Sequence, residues 1–395
     1  MADNAFPRDR CAISGIGATE FSKNSGRSEV TMAAEASLSA LADAGLTPAD
    51  VDGIVSCDMD LVGYNALAES LGIPNLTYWG MTGPGGSAPC AMVGQAVAAI
   101  TSGQATTVLV FRSLNGRSGV RFGQGTPEPG ARVGGQMSFE EYFAPYGLVT
   151  PGQYFALVAQ RHMSQYGTTH EALASISVAC RQRANANPAA QMHDRLLTLE
   201  DCLTARPISS PLRLFDFCLE TDGACAFIVT SAERAADGPQ KPALIRAVAQ
   251  GLVARPQAGV MYPALMRPSI TEMPARNAAR TLFSRAGLGP QDVDVAQIYD
   301  CYTITVLLQL EDYGFCEVGE GGPYAESGAL LLDGKTPINT SGGHLSEGYI
   351  HGVNHILEGV RQIRGTSTSQ VRGAEVSLVT SAPPPGTSAL LLVAS

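Results

Sequence analysis

The nine residues 44-AGLTPADVD-52 recur at 286-AGLGPQDVD-294, changed at two positions. Each copy follows apolar residues at helical spacing, Met32 to Leu41 in one and Ala278 to Phe283 in the other. Each precedes a β-rich apolar run, 51-VDGIVS-56 and 293-VDVAQIY-299. Gly45 and Gly287 suit helix C-caps, and the proline three residues on prevents the helix from continuing. A helix, a turn and a buried strand used twice and far apart point to duplication of one β/α unit. A second pair agrees: 85-GGSAPCAMVGQAVAAITSG-103 and 342-GGHLSEGYIHGVNHILEGVRQIRG-365 both pass from a glycine pair into a helix and out at a glycine. Two α/β halves with mixed or parallel sheets follow, 1–235 and 240–395. The polar stretch 233-ERAADGPQKP-242 links them. Residues of about 114–215 have no counterpart in the second half. They are expected to form a loop-domain insertion with helices at Tyr154–Tyr166 and His170–Asn185, placed as a cover over a site.

Composition narrows the function. Hydrophobic residues are 45% and charged residues 16%, which suits a packed core and argues against disorder. A net charge of -10 argues against a nucleic-acid surface, so a phosphate-bearing ligand has to be held locally. The nine cysteines are irregularly spaced without a Cys-x-x-Cys pair, as expected of buried thiols in a reducing compartment. With neither a basic, apolar leader nor a run long enough to span a bilayer, the expected location is the cytoplasm, without a membrane partner.

Four segments carry a family resemblance: 160-QRHMSQYGTTHEALASISV-178, 211-PLRLFDFCLETDGACAFIVTS-231, 298-IYDCYT-303 and 337-PINTSGGHLSEG-348. Together with the duplication, they resemble the thiolase superfamily along the whole chain, most nearly its sterol-carrier-protein type. The resemblance implies an α/β thiolase fold of two duplicated βαβαβ-type halves in five layers. At the catalytic positions the chain departs from that pattern. Gly86 stands where the nucleophilic cysteine is expected, and Cys90 lies one helical turn too late. The family's His-Asp-Cys-Phe is Tyr299-Asp300-Cys301-Tyr302 here, and its Gly-His-Pro is Gly348-Tyr349-Ile350. The turn 380-TSAPPPGT-387 lacks the second catalytic cysteine. This set of replacements looks like the thiolase-fold steroid side-chain aldolases, often described as lipid-transfer proteins.

That resemblance implies retro-aldol cleavage of a β-hydroxyacyl-CoA with a bulky, steroid-like group, giving a ketone or aldehyde and a shorter acyl-CoA. The coenzyme A thioester is substrate, and no covalently bound cofactor is implied. Tyr299 and Tyr349 are the implied acid/base pair, their individual roles left open. A homodimer, in complex with a small OB-fold zinc-ribbon partner, is implied as well. Chemistry agrees with the losses, because thiolysis needs a thiolate and retro-aldol cleavage does not. What retro-aldol cleavage needs is a base for the β-hydroxyl and donors for the thioester enolate. Expected pocket and oxyanion residues are Gly86, Ser87, Asp300, His344, Gly348 and Gly386, with backbone N–H groups of the two repeat helices converging. Tyr349 is expected at a helix N-terminus, which would lower its pKa. Arg161, Arg181 and Arg183 are candidate coenzyme A contacts. His344, His351 and His355 are read as pocket-lining or capping residues, and no metal is assigned. Lys23, Lys241 and Lys335 all sit in polar, turn-like contexts, unsuited to a Schiff base. Two rivals stay open: a thiolase or acetyltransferase using Cys90 or Cys301, and a non-catalytic lipid-binding scaffold.

Overall fold

The computed structural model describes residues 6–119, 121, 143–253, 270–383 and 386–395. Eleven strands are present among them: β1 (Cys11–Ala18), β2 (Gly53–Cys57), β3 (Tyr78–Thr82), β4 (Thr107–Asn115), β5 (Pro207–Ser209), β6 (Leu212–Arg213), β7 (Asp222–Ser231), β8 (Ala243–Leu252), β9 (Val295–Gln297), β10 (Val376–Thr380) and β11 (Gly386–Ala394). Nine of them form one mixed sheet in the order β3-β2-β4-β7-β1-β8-β11-β10-β9, with β5 and β6 as a separate ribbon. The order reads outward from the β1–β8 seam in the same way twice. β1 is antiparallel to β7, β7 to β4, and β4 is parallel to β2. β8 is antiparallel to β11, β11 to β10, and β10 is parallel to β9.

The repeated nonapeptide adopts the same local structure in both halves. The helices Glu29–Ala44 and Ala275–Ala286 each end on a left-handed glycine, Gly45 and Gly287, both at φ 69°. Short 3-10 turns follow at Pro48–Asp50 and Pro290–Asp292. Asp50 accepts the Thr47 N–H, and Asp292 accepts the Gly289 N–H. Two residues on, Asp52 accepts the Thr106 and Thr107 amides, and Asp294 those of Glu375 and Val376. Aspartate is short enough to reach nearby backbone donors, which is why it recurs at both turns.

The helices Pro89–Thr101 and Val353–Arg364 both pack against strands of the two halves. Glu29–Ala44 lies against β1, β7 and β4, and Ala275–Ala286 against β8 and β11. Outer helix, first half of the sheet, helix pair, second half of the sheet and outer helix make the five layers. The central pair meets the core through apolar residues: Met92, Val93 and Val97 join Ile356, Leu357 and Val360 in one core cluster. The described insertion contributes helices Pro151–Tyr166 and His170–Ala186, close to the expected bounds. They pack over Tyr302 and Leu307 of the second half rather than forming a separate core. Among the described residues no helix is long and apolar enough to cross a membrane.

Candidate active site

Tyr299 lies two residues beyond β9, where a parallel strand delivers its side chain to the sheet's carboxyl edge. Its N–H donates to Thr380 Oγ1 at 2.9 Å, and its carbonyl accepts Gln309 Nε2 at 2.8 Å. Asp300 then ties this strand end to the second glycine turn, accepting the N–H groups of His344 (2.9 Å) and Leu345 (3.2 Å). That clamp sets the course of the chain into Tyr349, whose own N–H donates to Thr221 Oγ1 at 2.8 Å. The two phenol hydroxyls, fifty residues apart in sequence, meet at 2.8 Å. His344 braces both rings edge-to-face, at 4.6 Å from Tyr299 and 4.9 Å from Tyr349 between centroids.

Gly86 completes the arrangement by what it lacks. A β-carbon there would lie 2.2 Å from Tyr299 Oη. The hydroxyl therefore occupies the space that any side chain at 86 would need, and a cysteine at 86 is excluded sterically by Tyr299 as placed. Gly86, Ser87, Tyr299, Tyr349, Cys301 and Ala382 all line one cavity of about 830 Å³. Its wider wall is apolar, with Phe155, Phe215, Phe217, Tyr302 and Leu345.

The electrostatics favour neutral phenols. Burial pushes Tyr299 well above the usual phenol range, and the neighbouring Tyr349 adds to this. Burial raises Tyr349 in the same way, against a weaker lowering by the Tyr299 hydrogen bond and by Arg112. The thiols are equally unsuited to ionise: burial pushes Cys90 and Cys301 each up to about 12. Burial would raise Asp300 too, but His344, His355 and the His344 amide outweigh it and hold the carboxylate below its usual range.

Several expected donors are engaged elsewhere. The first repeat helix starts at Pro89, and its Cys90 and Ala91 amides donate to Ser381 Oγ (3.1 Å) and Ser388 Oγ (3.0 Å). Ser87 uses its N–H on the Pro84 carbonyl and its hydroxyl on the Gly386 carbonyl. Gly348 donates to Gly343 O, and Gly386 opens β11 opposite Leu252. Gly348 and Gly386 are absent from the described cavity lining. The second long helix starts only at Val353, after a four-residue helix at Gly343–Ser346. Tyr349 thus precedes that helix and gains nothing from its dipole, contrary to the sequence expectation. The physical reason is shared: buried N–H groups have to be partnered, and here the protein itself partners them.

Comparison with known proteins agrees with this geometry. Residues 261–394 match the family model described as thiolase C-terminal domain-like. Over 97% of its length the chain is 45% identical to a 17-hydroxy-3-oxo-4-pregnene-20-carboxyl-CoA lyase of Mycobacterium tuberculosis, covering 99% of that protein. It is 43% identical to a steroid side-chain-cleaving aldolase of Thermomonospora curvata, over 96% of this chain and 97% of the relative. The solved structure of an Ltp2-ChsH2(DUF35) aldolase superposes with a TM-score of 0.91 at 42% identity, covering 98% of both chains. The chain belongs to the thiolase-fold steroid side-chain aldolase family.

Within this aldolase frame, the sequence candidates divide. Of the three arginines only Arg181 lines the cavity. Arg183 is buried and Arg161 exposed, neither in the wall, while Lys23, Arg117 and Arg195 take wall positions instead. Asp300 and His344 are fully buried behind the tyrosines rather than in the wall. The three second-half histidines do not converge. His344 and His355 meet Asp300, their ligand atoms within 4.8 Å of one another, while His351 turns to Arg112. Tyr302 lines the cavity, and Tyr313 is core. Sequence reasoning passed over Arg112, a lone charge in the apolar strand 107-TVLVFRSLN-115, which is the signal that could have exposed it.

Proposed function

We propose that this chain cleaves the Cα–Cβ bond of a β-hydroxyacyl-CoA by a retro-aldol reaction, with Tyr299 and Tyr349 as a proton-relaying pair. The observation that carries this is the 2.8 Å contact between their hydroxyls on the cavity wall, in the space a nucleophile at 86 would need. Two neutral phenols in hydrogen-bond contact do not require a free phenolate. One tyrosine oxygen takes the β-hydroxyl proton while its own proton passes to the partner. The Cα–Cβ electron pair moves into the thioester enolate as Cβ becomes a carbonyl. The partner's proton then goes to Cα. One proton enters and one leaves, so no buried charge is left on the pair. General acid–base catalysis of this kind contributes about 10²–10⁴-fold.

The apolar wall of Phe155, Phe215, Phe217, Leu196, Ile208 and Leu214 suits a rigid polycyclic group, and Lys23, Arg117, Arg181 and Arg195 suit coenzyme A phosphates. A tertiary β-alcohol, as in the substrate named for the mycobacterial relative, cannot be oxidised to the ketone that thiolysis needs. A homodimer in complex with a small OB-fold zinc-ribbon subunit is our proposal for the assembly; the two-component name of the solved Ltp2-ChsH2(DUF35) aldolase supports a partner protein and no more. The test is to incubate chain and partner with 17-hydroxy-3-oxo-4-pregnene-20-carboxyl-CoA. Equal amounts of 17-ketosteroid and propionyl-CoA support the reading. Unchanged substrate in the presence of the partner overturns it.

A further inference from the structure

The mechanism above makes no use of a buried histidine on the cavity wall or of the buried cation behind it. His351 lines the cavity beside Met59, Gly85 and Tyr349, and its ring meets that of Tyr349 edge-to-face at 5.1 Å between centroids. Its backbone is left-handed, with φ 49°, a conformation uncommon outside glycine and enriched at functional sites. Behind it, Arg112 Nε donates to His351 Nδ1 at 3.1 Å. Arg112 is fully buried and is fixed by Asp60 at 2.5 Å and by the Ser113 carbonyl at 3.1 Å. A guanidinium has donors only, so the nitrogen it faces has to be the acceptor. This contact alone specifies a neutral imidazole with its proton on Nε2. Since Nδ1 faces the buried arginine, the Cε1–Nε2 edge is the one that can reach the cavity. In keeping with this, a β-carbon on Gly85 would lie 3.8 Å from Cε1.

We infer that His351, locked as the Nε2–H tautomer by Arg112, is a further catalytic residue that donates a hydrogen bond to the thioester oxygen as the enolate forms. The inference rests on the retro-aldol reading for its acceptor. A neutral donor suits this step, since an imidazolium would hand its own proton to the enolate and pre-empt the delivery to Cα by the tyrosines. The surrounding groups agree: burial first, then Arg112 and His344, push the His351 pKa well below its usual value. Asp60 sits on the far side of Arg112, and Tyr349 is held neutral by burial. Arg112 is in this view a positioning residue, acting through the imidazole.

Two substitutions separate donor from scaffold. In His351→Asn the amide oxygen can replace Nδ1 as acceptor for Arg112, and asparagine tolerates the left-handed backbone. The Nε2–H is lost, together with the ring contact to Tyr349. Expected is a kcat lower by about 10²–10³-fold with KM and Tm little changed. His351→Gln, whose amide reaches the Nε2 position, is expected to recover at least part of that loss. In parallel, ¹⁵N spectra of histidine-labelled wild type, with His351 assigned by its absence in the Asn variant or, if that fails to fold, in the Gln variant, are expected to show a neutral Nε2–H ring from about pH 5.5 to 8.5. A titrating ring or an Nδ1–H tautomer overturns the inference. So does a His351→Asn enzyme that turns over within about threefold of wild type. A wild type that cleaves no β-hydroxyacyl-CoA, with the tautomer as described, overturns instead the aldolase reading and with it the acceptor assigned to His351.

Discussion

Filling position 86 with a single carbon should disable the tyrosine pair. A β-carbon on Gly86 would lie 2.2 Å from Tyr299 Oη, 2.8 Å from Cζ and 3.0 Å from the Ala382 β-carbon. Ordinary contact begins near 3.4 Å, so the hydroxyl has to retreat by about 1.2 Å. Its room is limited. His344 packs on the ring at 4.6 Å between centroids, and a β-carbon on Gly352 would lie only 3.1 Å from Cδ2. Moving the hydroxyl away from Tyr349 stretches a 2.8 Å contact past hydrogen-bond range. For Gly86→Ala we expect overpacking to cost about 1–3 kcal/mol and kcat to fall by about 10²–10⁴-fold. Steady-state cleavage kinetics and thermal unfolding measure both. Adding Tyr299→Phe removes the atom in closest conflict, so the double variant should regain stability without regaining activity. A Gly86→Ala enzyme with wild-type kcat and Tm would refute the reasoning.

Tyr349→Phe keeps the ring and its packing, so kcat should fall by about 10²–10⁴-fold with KM nearly constant, as initial rates over a substrate series will show. Cys90→Ala and Cys301→Ala should each retain most activity in the same assay, because burial pushes both thiols up to about 12 and neither touches the reacting carbon in this scheme. As both phenols are held well above their usual pKa, kcat should show no tyrosine ionisation between about pH 6 and 9. Stability has a separate titration at Asp312, whose carboxyl burial raises to about 7 against the pull of Arg276. The native state then holds a proton that the unfolded chain has lost, so this group's contribution falls as pH rises from about 4 to 7. Asp312→Asn should accordingly gain in Tm relative to wild type on going from pH 5 to pH 8, as thermal melts at the two values will show.

Local signals made the scaffold readable. The duplicated turn was visible because Gly45 and Gly287 must adopt a left-handed φ and because Asp50, Asp52, Asp292 and Asp294 cap nearby amides, requirements that leave residue types behind. The two insertion helices were legible in position, and their observed bounds lie close to those expected. Tyr299 and Tyr349 could be named together only because a family pattern links positions fifty residues apart. Other features depended on long-range partners that no local pattern encodes. The donors expected near Gly86 and Ser87 are one example: the first repeat helix starts only at Pro89, and Ser381 and Ser388 from beside β10 and on β11 cover its Cys90 and Ala91 amides. The start of the last long helix was misplaced because 342-GGHLSEGYIHG-352 contains enough glycine to break the chain into a short helix and a turn. His351 pairs with Arg112 across 239 residues, so nothing around either residue announces the contact.

The central claim is that a pair of neutral tyrosines, and no cysteine, performs the cleavage. Rapid-quench intact-protein mass spectrometry during a single turnover, with no free coenzyme A added, tests it most directly. The account predicts stoichiometric ketone and shortened acyl-CoA while the protein mass stays that of the unmodified chain. An acyl adduct that forms and decays at the rate of turnover, mapped to Cys90, Cys301 or any other cysteine, would contradict it.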